Sequence, residues 1–293
     1  MPTSLTVGVL DGVHRGHRRL LEWLDPESLP TVLTFDPHPV EVLRPGTPPR
    51  LITNLEERVE LLDGAGVACV GVLDLRQIKE QAPVEFVENV LLAKLDMTHM
   101  VVGADFRFGK DRAGDVALLE TLGDSHGFDL EVVELVSLGD EVVSSSRIRG
   151  LVEDGHVAEA ADLLGSRFTL SGEVIDGEKR GRNLGFPTAN LRPPTRKLIP
   201  GNGVYACYAT VDGSSHDAAV NVGVRPTFGD GELLIEAYLI DFSDDIYGRE
   251  LTLSFVEFLR PEVAFGGLDE LIERIDDDVD RTREILAAAR SRM

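Results

Sequence analysis

At 293 residues the chain has room for two ordinary domains, each with a core of its own. Its apolar fraction of 43% is that of a globular protein, and its net charge of −22 argues against nucleic-acid binding and against docking on anionic membranes. Small anionic substrates remain open, because local arginines can reverse the potential inside one cleft. Cys69 and Cys207 sit far apart in apolar runs and read as buried small hydrophobes, with no disulfide framework and no zinc spacing. The N-terminus lacks a basic-then-apolar signal pattern, and no apolar run approaches the length of a membrane span. A soluble, cytoplasmic protein is expected, with self-association left open.

The first half alternates between short apolar runs and helical segments. Leu5–Val9, Thr31–Phe35, Ala68–Leu73, Met100–Val102 and Leu130–Leu135 read as buried strands. After the first comes Gly8-Val9-Leu10-Asp11-Gly12-Val13-His14-Arg15-Gly16-His17, a glycine turn ahead of a helix read to open at Arg18. A strand, a glycine turn and a helix N-terminus form an anion cradle, with two imidazoles as added donors. The same pattern also suits a plain strand-to-helix turn whose histidines cap the helix. Thr53 to Glu56 matches a capping box for a helix that Gly64 should stop, and Pro83 suits a first helical position before Phe86, Val87, Val90 and Leu91. Alternation of this kind predicts a doubly wound, mostly parallel sheet that binds ligands beyond its strand C-termini.

Ser144-Ser145-Ser146 begins another helix, with Arg147 and Arg149 in its first turn. Arginines there oppose the helix dipole unless an anion sits between them. Ser145, Ser146 and Arg149 are therefore candidates to hold a departing pyrophosphate, with His14 and His17 facing the α-phosphate of a nucleotide. A short acidic helix around Glu153–Leu164, stopped by Gly165, closes the domain at residue 165.

From residue 166 the character changes. Phe168–Val174, Val204–Val211, Asp217–Val224, Leu233–Ile240 and Leu251–Phe258 are β-rich, and Asp212-Gly213 signals a hairpin. Such spacing suggests a small antiparallel barrel, with an amphipathic helix from Leu268 to Arg290 packed on it. The run Asp276-Asp277-Asp278 reads as a solvated face of that helix. Gly172 to Gly177, followed by Arg180-Gly181 and then Thr188-Ala189-Asn190, is a glycine-rich basic loop bracketing a Thr-x-Asn pair. Gly177, Arg180 and Gly181 would admit a triphosphate, and Thr188 and Asn190 offer oxygen ligands for Mg²⁺. A Walker A loop is excluded, because no Gly-Lys-Ser/Thr follows.

Gly12–His17 together with Ser144–Arg149 resembles the paired signature of the nucleotidylyltransferase superfamily. Pro30–Pro39 and Val102–Lys110 narrow that likeness to the FMN adenylyltransferase module of prokaryotic bifunctional riboflavin kinase/FAD synthetases. Pro187–Asn190, Gly203–Ala206, Asn221–Phe228, Glu236 and Ile246–Gly248 resemble the riboflavin kinase module. Two departures stand out: Leu10 occupies a position where the family favours Phe, and Ser146 one where Thr is common.

The resemblance implies a Rossmann-like α/β nucleotidylyltransferase domain (1–165) followed by a β-barrel riboflavin kinase domain (166–293) with a C-terminal helix. Riboflavin would be phosphorylated by ATP to FMN, and FMN adenylated to FAD with loss of pyrophosphate. His14 and His17 would act on the ATP phosphates, with Gly8, Asp11, Gly12, Gly16, Gly103 and Asp105 around the nucleotide. Phe35, Pro37, Phe106, Arg107, Phe108 and Asn221 would meet the flavin, and Glu236 would be the base for the ribityl hydroxyl. A flavin-binding homologue with only one working module is the alternative.

Overall fold

The computed structural model describes residues 1–177, 186–225, 232–263 and 266–291, so Arg180 and Gly181 lie outside the described residues. Contacts divide the chain into two compact units, Met1–Ser145 and Ser146–Met293. In the first unit β1 (Thr3–Val7), β2 (Leu29–Phe35), β3 (Cys69–Leu73), β4 (Met97–Gly103) and β5 (Asp129–Val133) form a parallel sheet in the order β3-β2-β1-β4-β5. Alternation along β2 sends Val32 into one apolar layer and Leu33 into the other. The Val32 layer takes Leu21 of helix Arg15–Leu21 and Leu62 of helix Leu55–Asp63. The Leu33 layer takes Phe86, Val87, Val90, Leu91 and Leu119. Both faces are covered, as a doubly wound sheet requires.

Helix boundaries move from the expected ones for local reasons. The capping box is Asn54 with Glu57, not Thr53 with Glu56: Asn54 Oδ1 accepts from Glu57 N at 2.8 Å, and Glu57 Oε2 accepts from Asn54 N at 2.9 Å. Thr53 is already committed elsewhere, its hydroxyl donating to Asp11 at 3.1 Å. Gly64 caps the C-terminus of that helix as expected. The acidic helix begins at Val157 instead of Glu153, because helix Ser145–Glu153 precedes it and Gly155, at φ +84°, breaks the chain between them.

A two-stranded ribbon, β6 (Ser137–Leu138) with β7 (Glu141–Val142), completes the first unit. In the second, β8 (Thr169–Ile175), β9 (Ala189–Arg192), β10 (Gly203–Val211), β11 (Ser214–Arg225), β12 (Glu232–Leu239) and β13 (Glu250–Arg260) close a barrel in the order β10-β11-β12-β9-β8-β13. Strand β9 has no counterpart among the expected runs: its four residues are too few to show a period. Asp212 and Gly213 take φ +49° and +78° between β10 and β11, the left-handed pair that a tight hairpin needs.

The C-terminal helix Leu268–Arg290 sets Leu286 against Val204, Ala206 and Leu259. One expectation about this helix is corrected. Asp278 is 7% exposed and is paired through Oδ2 with Arg260 Nη2 at 2.7 Å, while Asp276 and Asp277 stay exposed. Position 278 lies one turn from Ile275 and Thr282, on the stripe that faces the barrel. Cys69 is likewise exposed rather than buried, because β3 is a sheet edge with little covering it; Cys207 is fully buried.

Burial pushes the Cys207 thiol well above its ordinary range, so it is doubly protected from alkylation. A chromogenic disulfide reagent should titrate one thiol in the native protein and both in denaturant. Asp278→Ala removes the carboxylate from a buried pair and should lower the free energy of unfolding by about 3–5 kcal/mol, read by urea titration.

Candidate functional site

Beyond Val7 the chain enters a turn in which Leu10, Gly12 and Val13 take φ +50°, +84° and +40°. Leucine and β-branched valine rarely hold that conformation, so their surroundings must enforce it. Asp11, 1% exposed, contributes most visibly. Its carboxylate accepts from Thr53 N at 2.8 Å, Ile52 N at 3.2 Å and the Thr53 hydroxyl. Gly12 N donates to Thr53 Oγ1 at 2.9 Å, and the Thr34 hydroxyl donates to Val9 O at 2.8 Å. Ser145 Oγ donates to Asp11 O at 3.0 Å, which ties the start of the next helix to the same turn.

The first helix opens at Arg15, not Arg18, because His14 caps it: His14 Nδ1 accepts from His17 N at 3.4 Å. That acceptor role leaves the proton of a neutral His14 on Nε2. The His14 and His17 rings stack with centroids 3.5 Å apart and planes 17° from parallel. Gly16 makes room for this, since a Cβ there would lie 3.2 Å from two atoms of the His14 ring. Burial first, then His14 and Arg58, hold the His17 pKa well below 6.5. His17 is therefore neutral near pH 7, and its Nδ1 is enclosed with no hydrogen-bond partner among the described residues.

β1, β2 and β4 are neighbours and run parallel, so their C-terminal ends open on one side of the sheet. Phe35 ends β2, and Pro37 follows a cis peptide bond; Gly103 ends β4 and leads into Asp105, Phe106 and Arg107. Strand order reverses between β1 and β4, where open α/β sheets hold their ligands. Turn, Phe35–Pro37 segment and Gly103–Arg107 segment thus meet at one sheet end.

In the barrel, Asn190 of β9, Glu236 of β12 and Asn221 of β11 are register partners across three adjacent strands. Ile235, Ala237 and Leu239 are buried, leaving Glu236 and Tyr238 half-buried on the opposite face, as alternation predicts. Gly177 stands against this row, for a Cβ there would clash with the Asn190 amide. Asn221 Nδ2 donates to Glu262 Oε1 at 3.2 Å, and the Phe186 ring meets Tyr238 edge-on at 5.4 Å. Thr188 lines a neighbouring cavity of about 240 Å³ with Pro187, Ala189, Phe242 and Tyr247.

Two family models match in tandem: FAD synthetase over residues 1–147 and riboflavin kinase over residues 164–286. A bifunctional riboflavin kinase/FMN adenylyltransferase from Listeria monocytogenes is 37% identical over 97% of this chain and 92% of its own length. The chain belongs to the bifunctional riboflavin kinase/FMN adenylyltransferase family. Its relative in Pseudomonas fluorescens is also 37% identical, over 98% of this chain and 94% of its own. A crystal structure described as a macrolide-efflux protein from Streptococcus pneumoniae shares 30% of its residues and superposes with a TM-score of 0.90, covering 96% of this chain and 94% of that one. No helix among the described residues is long and apolar enough to cross a membrane.

Some of the expected site residues of this family member are committed to the fold. The Asp11 carboxylate faces Thr53, so it shapes the turn from within. Phe108 is 7% exposed, stacked on Phe106 at 5.5 Å and packed with Phe86 in the core. Phe106, its partner in that stack, is half-buried. Arg107 pairs with Asp115 at 2.8 Å on the surface.

Ser146 and Arg149 lie in the first turn and a half of helix Ser145–Glu153. Arg58 and Glu262 drew no attention in the sequence. Arg58 carried a signal, since it falls on the stripe of Leu61 and Leu62, where a charge has no ordinary place.

Because His17 stays neutral in the folded protein, the unfolded chain alone takes up a proton there as pH falls below about 6.5. Stability from this group is therefore lost on the acid side. The neutral variant His17→Gln should lose less melting temperature than the parent between about pH 7.5 and about pH 5.5, measured by paired thermal scans.

Proposed function

We propose that the Gly8–His17 turn carries adenylyl transfer and that the Asn190–Glu236–Asn221 row carries riboflavin phosphorylation. The chain is a bifunctional transferase of FAD biosynthesis, using riboflavin, FMN and ATP as substrates. The observation that supports this division is the tandem match, with each half's motif residues gathered by its own fold: one sheet end, one barrel row. We assign the two activities to residues 1–165 and 166–293, and the location to the cytoplasm, where ATP serves both steps.

In the barrel, the 5′-hydroxyl of riboflavin attacks the γ-phosphorus of ATP and ADP leaves. Glu236 takes the hydroxyl proton, the work of a carboxylate within reach of an alcohol nucleophile. Asn221 meets the flavin, and Gly177 leaves room for the triphosphate. The donor set at Thr188 and Asn190 suits Mg²⁺: a hydroxyl and an amide carbonyl supply hard oxygens, with phosphates completing the shell. Thr188 and Asn190 would hold Mg²⁺, which would supply neutralisation of phosphate charge and orientation of the leaving group.

In the sheet unit, a phosphate oxygen of FMN attacks the α-phosphorus of ATP, and pyrophosphate departs. No proton need move in the transition state, so catalysis is positioning and charge stabilisation. His14 offers Nε2–H and neutral His17 offers its ring, while Gly8, Gly12, Gly16, Gly103 and Asp105 border the nucleotide. Phe35, Pro37, Phe106 and Arg107 border the flavin, and Ser145, Ser146 and Arg149 hold the pyrophosphate.

Product analysis with riboflavin, ATP and Mg²⁺ tests the division. His17→Ala should abolish FAD formation while FMN still accumulates. Glu236→Ala should abolish FMN formation from riboflavin yet still convert supplied FMN to FAD. Loss of both activities in either folded variant would contradict separate sites.

A further inference from the structure

Beneath the Leu10–Val13 turn lies a buried guanidinium that no step above uses. Arg58 is 3% exposed. Its Nη1 donates to Thr34 Oγ1 at 3.0 Å and to Phe35 O at 3.3 Å, and its Nη2 donates to Thr53 O at 3.2 Å. Each of these partners continues toward the phosphate turn or the flavin side. Thr34 donates to Val9 O, Thr53 binds Asp11 and Gly12 N, and Phe35 ends β2 where the flavin is assigned. Asp11 is 1% exposed, Thr34 0% and Thr53 5%, so these polar side chains are sealed from water with the guanidinium.

Resting on the assignment of adenylyl transfer to this turn, we propose that Arg58 is its positioning residue: one planar fork locks the end of β2 and Thr53 together, and thereby the left-handed turn that presents His14 and His17. The physical ground is the expense of the arrangement. A guanidinium stripped of water is unfavourable; here both Nη groups are hydrogen-bonded and counter-charges on Asp11, Asp36 and Glu57 stand near, while Nε is enclosed with no partner among the described residues. An apolar side chain at position 58 would pack against Leu62 and its neighbours more cheaply, but it would leave the Thr34 hydroxyl and two carbonyls without their donor. Leu10 and Val13 would then be freer to leave φ +50° and +40°. The guanidinium reaches three acceptors on two segments at once; a lysine ammonium keeps the charge but not the fork.

The test measures steady-state adenylation of FMN in the full chain, with riboflavin phosphorylation in the same sample as a control on folding. Arg58→Met should lower kcat for adenylation about 100-fold, the scale of an ångström-sized misplacement, and leave both KM values within about twofold. Phosphorylation should be unchanged, and Arg58→Lys should recover only part of the loss. An unchanged kcat with a lower melting temperature makes Arg58 a purely structural residue and overturns the proposal. A rise in KM alone places it in ground-state binding and overturns it too.

If Arg58→Met does not fold, Thr34→Val decides: it removes the hydroxyl linking the guanidinium to Val9 O, and an unchanged kcat rejects the proposal. His17→Ala runs alongside. If that variant adenylates FMN normally, the site assignment fails rather than the role of Arg58.

Discussion

A positive charge held under a strained turn is the constraint on which the N-terminal unit depends. Desolvating the Arg58 guanidinium is unfavourable and pulls its pKa down, with Asp11, Asp36 and Glu57 acting against that pull. The three acceptors it satisfies belong to the strand end and the segment that surround the turn, so the turn's geometry and the burial of the charge depend on each other. Stacked imidazoles at the helix start add to this arrangement. Burial first, then His14 and the same guanidinium, keep His17 neutral.

The barrel solves a different problem. Asn190, Asn221 and Glu236 are far apart in sequence and become neighbours only through strand register. Register has a period of two, so a slip of one residue would turn Glu236 into the interior occupied by Ile235 and Ala237. The Asp212-Gly213 hairpin sets the pairing of β10 with β11, and closure of the sheet leaves no free edge to slip along. Arg260, clamped by Asp278, fixes the end of β13 from which Glu262 reaches the Asn221 amide.

The two chemistries make different demands, and the folds follow them. Phosphorylation of an alcohol needs a base, and the barrel carries a half-buried carboxylate, Glu236, on a strand face. Adenylation of a phosphate needs no base, and its unit presents a cradle of donors instead. The product of the first reaction is the acceptor of the second, which gives a reason for their sharing one chain.

Much of this was legible in the sequence. Strand and helix alternation set the doubly wound sheet, closely spaced β runs set the barrel, and the motifs Gly12–His17 and Pro187–Asn190 carried the likeness to the family, because local motifs and periodicity are written in contiguous residues. Tertiary structure decided what contiguous residues cannot carry. It drew β9 into the barrel, exposed Cys69 on a sheet edge, buried Asp278 against Arg260 and turned Phe108 into core. It also made Asp11 and Arg58 parts of one buried network, since whether a charge meets water or a partner depends on what the rest of the chain brings beside it.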